Sequence, residues 1–339
     1  MEEAEGCSNT HLYFQSPLTH PASEADFKKK CVSPKKEILM FEKLGIVTNI
    51  WVEEIENGAR FDDLMVEFGA NGFKDMEVRE GDYLRHSEFG ELIEQLESAM
   101  PAYTDTEFKT VCDAVWTEKP SQTEHRTLFE AFAVFARKAD GLTLSYAMSH
   151  PCFSSPTDSE TDTQQIIKAK KLAYLLCPQR PRLRLVDLDT EGNIDEPAAI
   201  ANLKHYAALL PGYPMIFAVE NARQTATFTL QLAVAGGAKL TYDETNTYRA
   251  DGTTLNPPDE FWAAVKMTDL TSVHFKQKTE DGVLSEVGDG YVDFRAIAGH
   301  LKTQNYTGDL LLENTPTAHS LRDALRSREY LHALTVSQA

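Results

Sequence analysis

The sequence predicts an α/β fold, a (β/α)8 TIM barrel, and three observations carry that expectation. From Leu44 onward, short apolar runs alternate with amphipathic stretches, the pattern of parallel strands joined by crossover helices. The chain has 339 residues, a length at which such barrels commonly stand as one domain. Four of the later apolar runs end abruptly on a residue able to ligate a metal, and a barrel collects strand ends at one rim.

Taken in order, the strands are expected at 44–50, 73–79, 142–147, 183–188, 215–221, 238–243, 271–276 and 309–313. Helices are expected at 61–69, 124–139, 163–176, 197–210, 223–235, 258–266, 293–304 and 318–333. The segment 82–120 stands apart as an insertion after the second strand, with a helix at 88–99 and an extra strand from Phe108 to Val115. Residues 1–40 carry Pro17, Pro21 and Pro34 and no hydrophobic period, so they read as a loosely ordered extension before one barrel domain at 41–339. Within that extension, Leu12 to Ser16 resembles the end of a protease-cleavage tag and carries no fold information.

Composition narrows the class. Apolar residues make up 42% and charged residues 25%, the proportions of a soluble globular protein. No stretch approaches the ~18 consecutive apolar residues of a membrane span, and the N-terminus lacks the order of a signal peptide, so a cytoplasmic location is expected. The net charge of -19 opposes nucleic-acid binding, which depends on clustered Lys and Arg. The basic run at Lys28, Lys29, Lys30, Lys35 and Lys36 reads as solvated leader. Five scattered cysteines (Cys7, Cys31, Cys112, Cys152, Cys177) form neither a disulfide framework nor a Cys-x-x-Cys site, so reduced thiols are expected. Gly236-Gly237 is too short for a dinucleotide loop, and Gly288-Asp-Gly290 lacks the lysine of a phosphate-binding loop.

The chemistry sits at four strand ends. Phe217-Ala-Val-Glu220, Lys239-Leu-Thr-Tyr-Asp243, Ser272-Val-His274 and Asp309-Leu-Leu-Leu-Glu313 would bring three carboxylates and one imidazole to a single point. Oxygen and nitrogen donors without thiolate suit one divalent ion such as Mn²⁺, Co²⁺, Mg²⁺ or Zn²⁺. Any of the four alone is more often a capping or hydrogen-bonded residue; their order and spacing together favour a metal. Lys276 lies two residues beyond His274 and shares its face. On the second strand Asp75, Glu77 and Arg79 share one face, which fits a polar barrel mouth, with strand-end salt bridges as the plain alternative.

The segment from Thr163 to Asn314 resembles the xylose isomerase-like barrels, the sugar phosphate isomerase/epimerase superfamily with its inosose isomerases, inosose dehydratases and ketohexose 3-epimerases. The matching pieces are Ala218-Val-Glu220-Asn221, Asp243 with Asn246, Val273-His274-Phe-Lys276, Gly288-Asp-Gly290-Tyr-Val-Asp293-Phe294 and Gly308-Asp-Leu-Leu-Leu-Glu313-Asn314. The resemblance implies Glu220, Asp243, His274 and Glu313 as metal ligands, with Glu220 and Glu313 as the acid/base pair of an enediolate mechanism. It implies a substrate shell with Lys276, Asn246, His150 and Glu77, for a small keto sugar, inosose or other polyol-derived carbonyl compound. Two positions that the resemblance places in the substrate shell depart from the family: Asn246 stands where His is frequent, and Gln277 where Asp is frequent. For Lys276 a salt bridge to a rim carboxylate is an equal alternative, and His150 can equally be an ordinary surface or core histidine. Trp116 and Tyr103 in the insertion could stack on a sugar, though packing is the safer expectation.

Dehydration by β-elimination would use the same site, and a catalytically silent sugar-binding barrel is a further alternative. The related phosphodiester hydrolases build a three-zinc cluster from many histidines; ten histidines, several in the leader or last helix, and an acidic chain argue against them. A homo-oligomer is allowed by the sequence but not specified.

Overall fold

A computed structural model describes residues 40–84, 86–117, 126–138, 141–151, 153–154 and 159–336. Within them, eight parallel strands close into a barrel: β1 (Leu44–Val47), β2 (Asp75–Arg79), β3 (Thr143–Met148), β4 (Arg182–Val186), β5 (Ile216–Glu220), β6 (Lys239–Asp243), β7 (Leu270–Phe275) and β8 (Asp309–Leu312). Neighbours in sequence are neighbours in the barrel, and β8 closes against β1 with Leu44 opposite Leu310 and Ile46 opposite Leu312. All eight predicted strands are present. The expected extension and Cys7, Cys31 and Cys152 lie outside the described residues, while Cys112 and Cys177 are free thiols.

Pleat alternation sorts each strand into two faces. Leu183, Leu185, Phe217, Val219, Val273 and Phe275 point outward and pack under the helices, where most of the apolar core lies. Burial of each such side chain contributes about 1.5–3 kcal/mol. The inward face carries little apolar bulk, and the barrel axis is polar for most of its height. At the bottom, Arg182 pairs with Asp309 and donates to Ser145 Oγ at 2.7 Å. In the middle, Arg184 joins Glu77 to Glu220. At the top are the strand-end ligand candidates. Gly45 leaves room in this interior, since a Cβ there would meet the Asp75 carbonyl oxygen at 2.1 Å.

Three helices, Glu88–Ala99, Asp105–Trp116 and Arg126–Lys138, separate β2 from β3. The extra strand expected at Phe108 to Val115 is therefore helix. Phe108, Val111 and Cys112 recur at helical spacing, and all three are buried there. Trp116 donates from Nε1 to the Leu175 carbonyl at 2.8 Å, and Tyr103 packs edge-on to Phe108 and Phe129, so both are packing residues. Gly236-Gly237 ends the helix Ala226–Gly236: Gly237 takes φ +77°, and a Cβ on Gly236 would strike Leu203. No helix among the described residues is long and apolar enough to cross a membrane.

Asp75, Glu77 and Arg79 do not gather at the mouth, as their shared face suggested. A strand rises about 3.3 Å per residue, so the three fall at different depths. Asp75 lies low near Arg182 and Arg180, Glu77 is wholly buried at mid-height, and Arg79 reaches the rim to pair with Asp82 at 2.9 Å.

Candidate metal centre

Glu220 and Asp243 are the last residues of β5 and β6, His274 is next to last in β7, and Glu313 follows β8. Parallel pairing sets Asp243 opposite His274 and His274 opposite Leu311, which brings these ends to one level. One donor atom from each of the four lies within 4.8 Å of all the others. His274 turns Nδ1 into the group, 3.2 Å from Glu313 Oε2 and 3.6 Å from Glu220 Oε1, and its Nε2 faces Glu77 Oε1 at 3.6 Å.

The residues that follow the ligands brace the rim. Asn221 donates from Nδ2 to the Asp243 carbonyl at 2.7 Å and accepts from the Asp243 amide at 2.9 Å, tying the end of β5 to that of β6. Asn314 is buried and donates to Ser327 Oγ at 3.1 Å, and its carbonyl accepts from Asn49 Nδ2 at 3.0 Å. Asn246 donates to Glu220 Oε1 at 3.2 Å and to the Asn221 carbonyl at 2.9 Å. Lys276 places Nζ 2.6 Å from Asp243 Oδ2 and 2.8 Å from Glu313 Oε2.

These contacts set the charge states. Burial favours neutral Asp243, and although Lys276 opposes it, Glu313 and Glu220 help push the carboxyl up to about 6. For Glu313, burial is outweighed by Lys276 and His274, which hold it well below the usual carboxylate range. Burial disfavours charged His274, yet Glu313 and Glu220 raise the imidazole well above its ordinary value. Lys276 is raised in the same way, its desolvation overcome by Asp243 and Glu313. Burial of Glu77 is overcome by the Arg184 guanidinium, which brings its carboxyl down to about 2.

A divalent cation fits this donor set. Glu77, Glu220, Asp243 and Glu313 pair with Arg184 and Lys276, while Arg182 below Glu77 is balanced by Asp309, which leaves two negative charges when His274 is neutral. Three carboxylates and one imidazole without sulfur are the donors of Mn²⁺, Co²⁺, Mg²⁺ or Zn²⁺ sites.

The structure brings Lys276 and Asn246 into contact with this cluster, and the salt bridge weighed for Lys276 is formed. Glu77, expected beside a substrate, is instead wholly buried beneath the cluster, with its carboxylate engaged by Arg184. His150 is exposed and lines a separate rim cavity of about 460 Å³ with Glu80, Tyr83, Glu97 and Lys168. Gln277 is likewise engaged elsewhere. It is buried, donates from Nε2 to the Gly288 and Val292 carbonyls, and accepts from the Val292 amide, so it fastens the loop before the helix Phe294–Thr303. A Cβ on Gly290 would hit this glutamine at 2.5 Å, which explains that glycine. Asp293 then caps the same helix by accepting from the Arg295 and Ala296 amides.

Sequence reasoning missed Arg184. The signal was present: Arg182 and Arg184 alternate with Leu183 and Leu185 in a strand that must be buried on both faces. Two arginines on an inward face require carboxylate partners within the barrel.

Glu244, next to Asp243, is buried outside the barrel, where it accepts from Tyr242 Oη at 3.0 Å and Trp262 Nε1 at 3.5 Å. No ion pair holds it among the described residues, and burial pushes its carboxyl up to about 7. A raised carboxyl favours folding fully below its ordinary value and loses that contribution as pH climbs through 7. Glu244→Gln keeps an acceptor for both donors, so it is expected to match wild type near pH 4.5 and exceed it by about 3 kcal/mol at pH 8. Urea denaturation of both proteins at the two pH values checks this, and an equal difference at both would contradict it.

No family model and no curated protein matches this chain. Solved structures do. An IolI protein with a bound zinc atom is 12% identical over 87% of this chain and 97% of its own, with a TM-score of 0.53. A D-tagatose 3-epimerase-like protein is 14% identical over 88% of this chain and 100% of its own, at 0.56. A xylose isomerase-like TIM barrel protein from Mycobacterium smegmatis, in complex with magnesium, is 15% identical over 87% and 97%, at 0.54. The eight-stranded closure and these superpositions over 87–88% of this chain give one result: the chain has the fold of the xylose isomerase-like TIM barrels.

Proposed function

We propose that this protein is a divalent-metal-dependent isomerase or epimerase of a small keto sugar, inosose or related polyol-derived carbonyl compound, acting in the cytoplasm. The observation that carries the reading is the convergence of Glu220, Asp243, His274 and Glu313 at the rim of the barrel. The zinc and magnesium in two neighbouring structures, and the epimerase likeness of a third, agree with it.

Glu220, Asp243, His274 through Nδ1 and Glu313 would hold the ion. When bound, the ion supplies Lewis acidity that polarises a carbonyl and acidifies the neighbouring C–H. Glu220 and Glu313 come from different sides of the cluster, on β5 and from the end of β8. One of the pair, as a carboxylate, takes the α-proton, and the other, having taken a proton from solvent, gives it to the opposite face of the planar enediolate. Asn246 keeps Glu220 Oε1 turned toward the cluster and cannot itself shuttle a proton near neutral pH. Lys276, which stays protonated, offers its ammonium to oxyanion charge as that charge develops.

The same ammonium supports a second reading, dehydration. Lys276 stands beside Glu313 and can hydrogen-bond a departing β-hydroxyl, while the proton that Glu313 takes from the α-carbon passes to that oxygen and leaves with it as water, the step that elimination adds.

Protein loaded with Mn²⁺, Co²⁺, Mg²⁺ or Zn²⁺ is to be incubated in D₂O with a panel of ketohexoses, ketopentoses and inososes and followed by NMR and mass spectrometry. Deuterium at one carbon with a new epimer or aldose is the expected result. Loss of 18 mass units would select dehydration. With neither change under any ion, the reading fails and a silent sugar-binding barrel is left.

A further inference from the structure

Arg184 is buried at mid-barrel, and its guanidinium is paired with two carboxylates. Nη1 lies 2.6 Å from Glu220 Oε2, while Nε and Nη2 lie 2.9 and 2.6 Å from Glu77 Oε1. Glu77 is fully buried at the foot of this pair, so the guanidinium is pinned from below by a carboxylate held ionised. Glu220 consequently has two differently employed oxygens. Oε2 points down to Arg184, and Oε1 points up, toward Asn246 Nδ2 at 3.2 Å and His274 Nδ1 at 3.6 Å.

Its counterpart is held differently. Glu313 receives its cation from Lys276, whose side chain is 12% exposed and ends in a single ammonium on a flexible stem. A planar guanidinium fork fixes direction as well as charge, which a lysine ammonium does not. Stability is a weak explanation for the lower pair, because burying a charged pair seldom gains free energy over a packed apolar one. Orientation is the property that this geometry supplies.

We propose that Arg184 is the positioning residue for Glu220: it captures Oε2 from beneath, so that Glu220 presents only Oε1 to an ion and to substrate, with Glu77 as the anchor of the guanidinium. Glu220 is thereby a one-oxygen ligand of set direction, while Glu313 keeps freedom to reorient with Lys276. The kinetic consequences rest on the isomerase reading; the orientation of Glu220 does not.

The test is the paired replacement Glu77→Gln with Arg184→Gln, which removes one negative and one positive charge and leaves the net charge of the centre unchanged. Positioning by Arg184 makes Mn²⁺ binding at least about tenfold weaker by isothermal titration calorimetry, the range in which partners of metal ligands act. Crystals grown without added ion should show Glu220 Oε1 turned away from His274 Nδ1. Unchanged affinity together with an unmoved Glu220 would overturn the proposal, since a charge-only role predicts no net change. If the pair does not fold, Arg184→Lys keeps the charge and loses the fork; a Glu220 in its original pose there overturns the proposal, and a turned one supports it. Should wild type bind no Mn²⁺, the isomerase reading fails, while the pose of Glu220 in the metal-free crystals still decides the role of Arg184.

Discussion

Glu313→Gln is expected to lower kcat by about 10²- to 10⁴-fold, the usual contribution of one positioned acid or base, with the barrel still folded. Among the ligand candidates Glu313 has the most exposed side chain, at 12%, against 4% for Glu220 and none for Asp243 and His274. It is therefore the carboxylate best able to meet a substrate C–H from the mouth. The amide keeps the shape but can neither take a proton nor balance the charge of the Lys276 ammonium, whose ion pair is then with Asp243. Glu220→Gln is expected to have an effect of the same order. The two variants should differ in one informative respect. With an acid/base group on each face of an enediolate, loss of one group stops interconversion but leaves proton abstraction by the other. Each variant should then wash deuterium into only one of the two epimers, and into opposite ones. Turnover by Glu313→Gln within tenfold of wild type would remove Glu313 from proton transfer.

The ligand candidates were legible because parallel strands in a barrel all finish on one rim. A polar residue that interrupts an apolar run at Glu220, Asp243, His274 or Glu313 is then a statement about place as well as type. Depth was not legible. Pleat alternation told which face Asp75, Glu77 and Arg79 share, but the height of Glu77 depends on the stagger between β2 and β4, which sequence period does not carry. Arg184 was overlooked for the same reason: its carboxylate partners are 107 residues before it and 36 after it in sequence. Gln277 shows the opposite failure. Its position next to His-x-Lys suggested substrate, whereas the chain turns there and the side chain enters the space left by Gly290. The helix Asp105–Trp116 was misread as partly strand because a short run rich in Phe, Val and Thr has strand propensity; its apolar residues at 108, 111 and 112 already followed the helical period.

His274→Ala is expected to cost Mn²⁺ affinity by more than the 10–100-fold that loss of an outer partner commands, because it removes the one nitrogen donor. Measured by mass spectrometry of chelator-treated, reloaded protein, about one equivalent of ion in wild type should fall to a trace. The pH dependence carries the sharper consequence. Without an ion, Glu313 and Glu220 hold His274 protonated well above the ordinary imidazole value, against the cost of burial. A protonated Nδ1 cannot ligate, so loading must expel that proton. Below the raised value, wild-type affinity should therefore rise about tenfold per pH unit for this one proton, and flatten above it. Calorimetry in two buffers of different ionisation enthalpy reads the released proton directly. Equal binding enthalpies in the two buffers would mean that His274 is neutral before the ion arrives, and that the carboxylates around it do not control its charge. In His274→Ala the residual binding should lose this proton's share of the slope. Asp243 is held up to about 6 and releases a fraction of a proton of its own in the same range. A slope that survives in His274→Ala would thus point to Asp243, and one that vanishes would assign the proton to the imidazole.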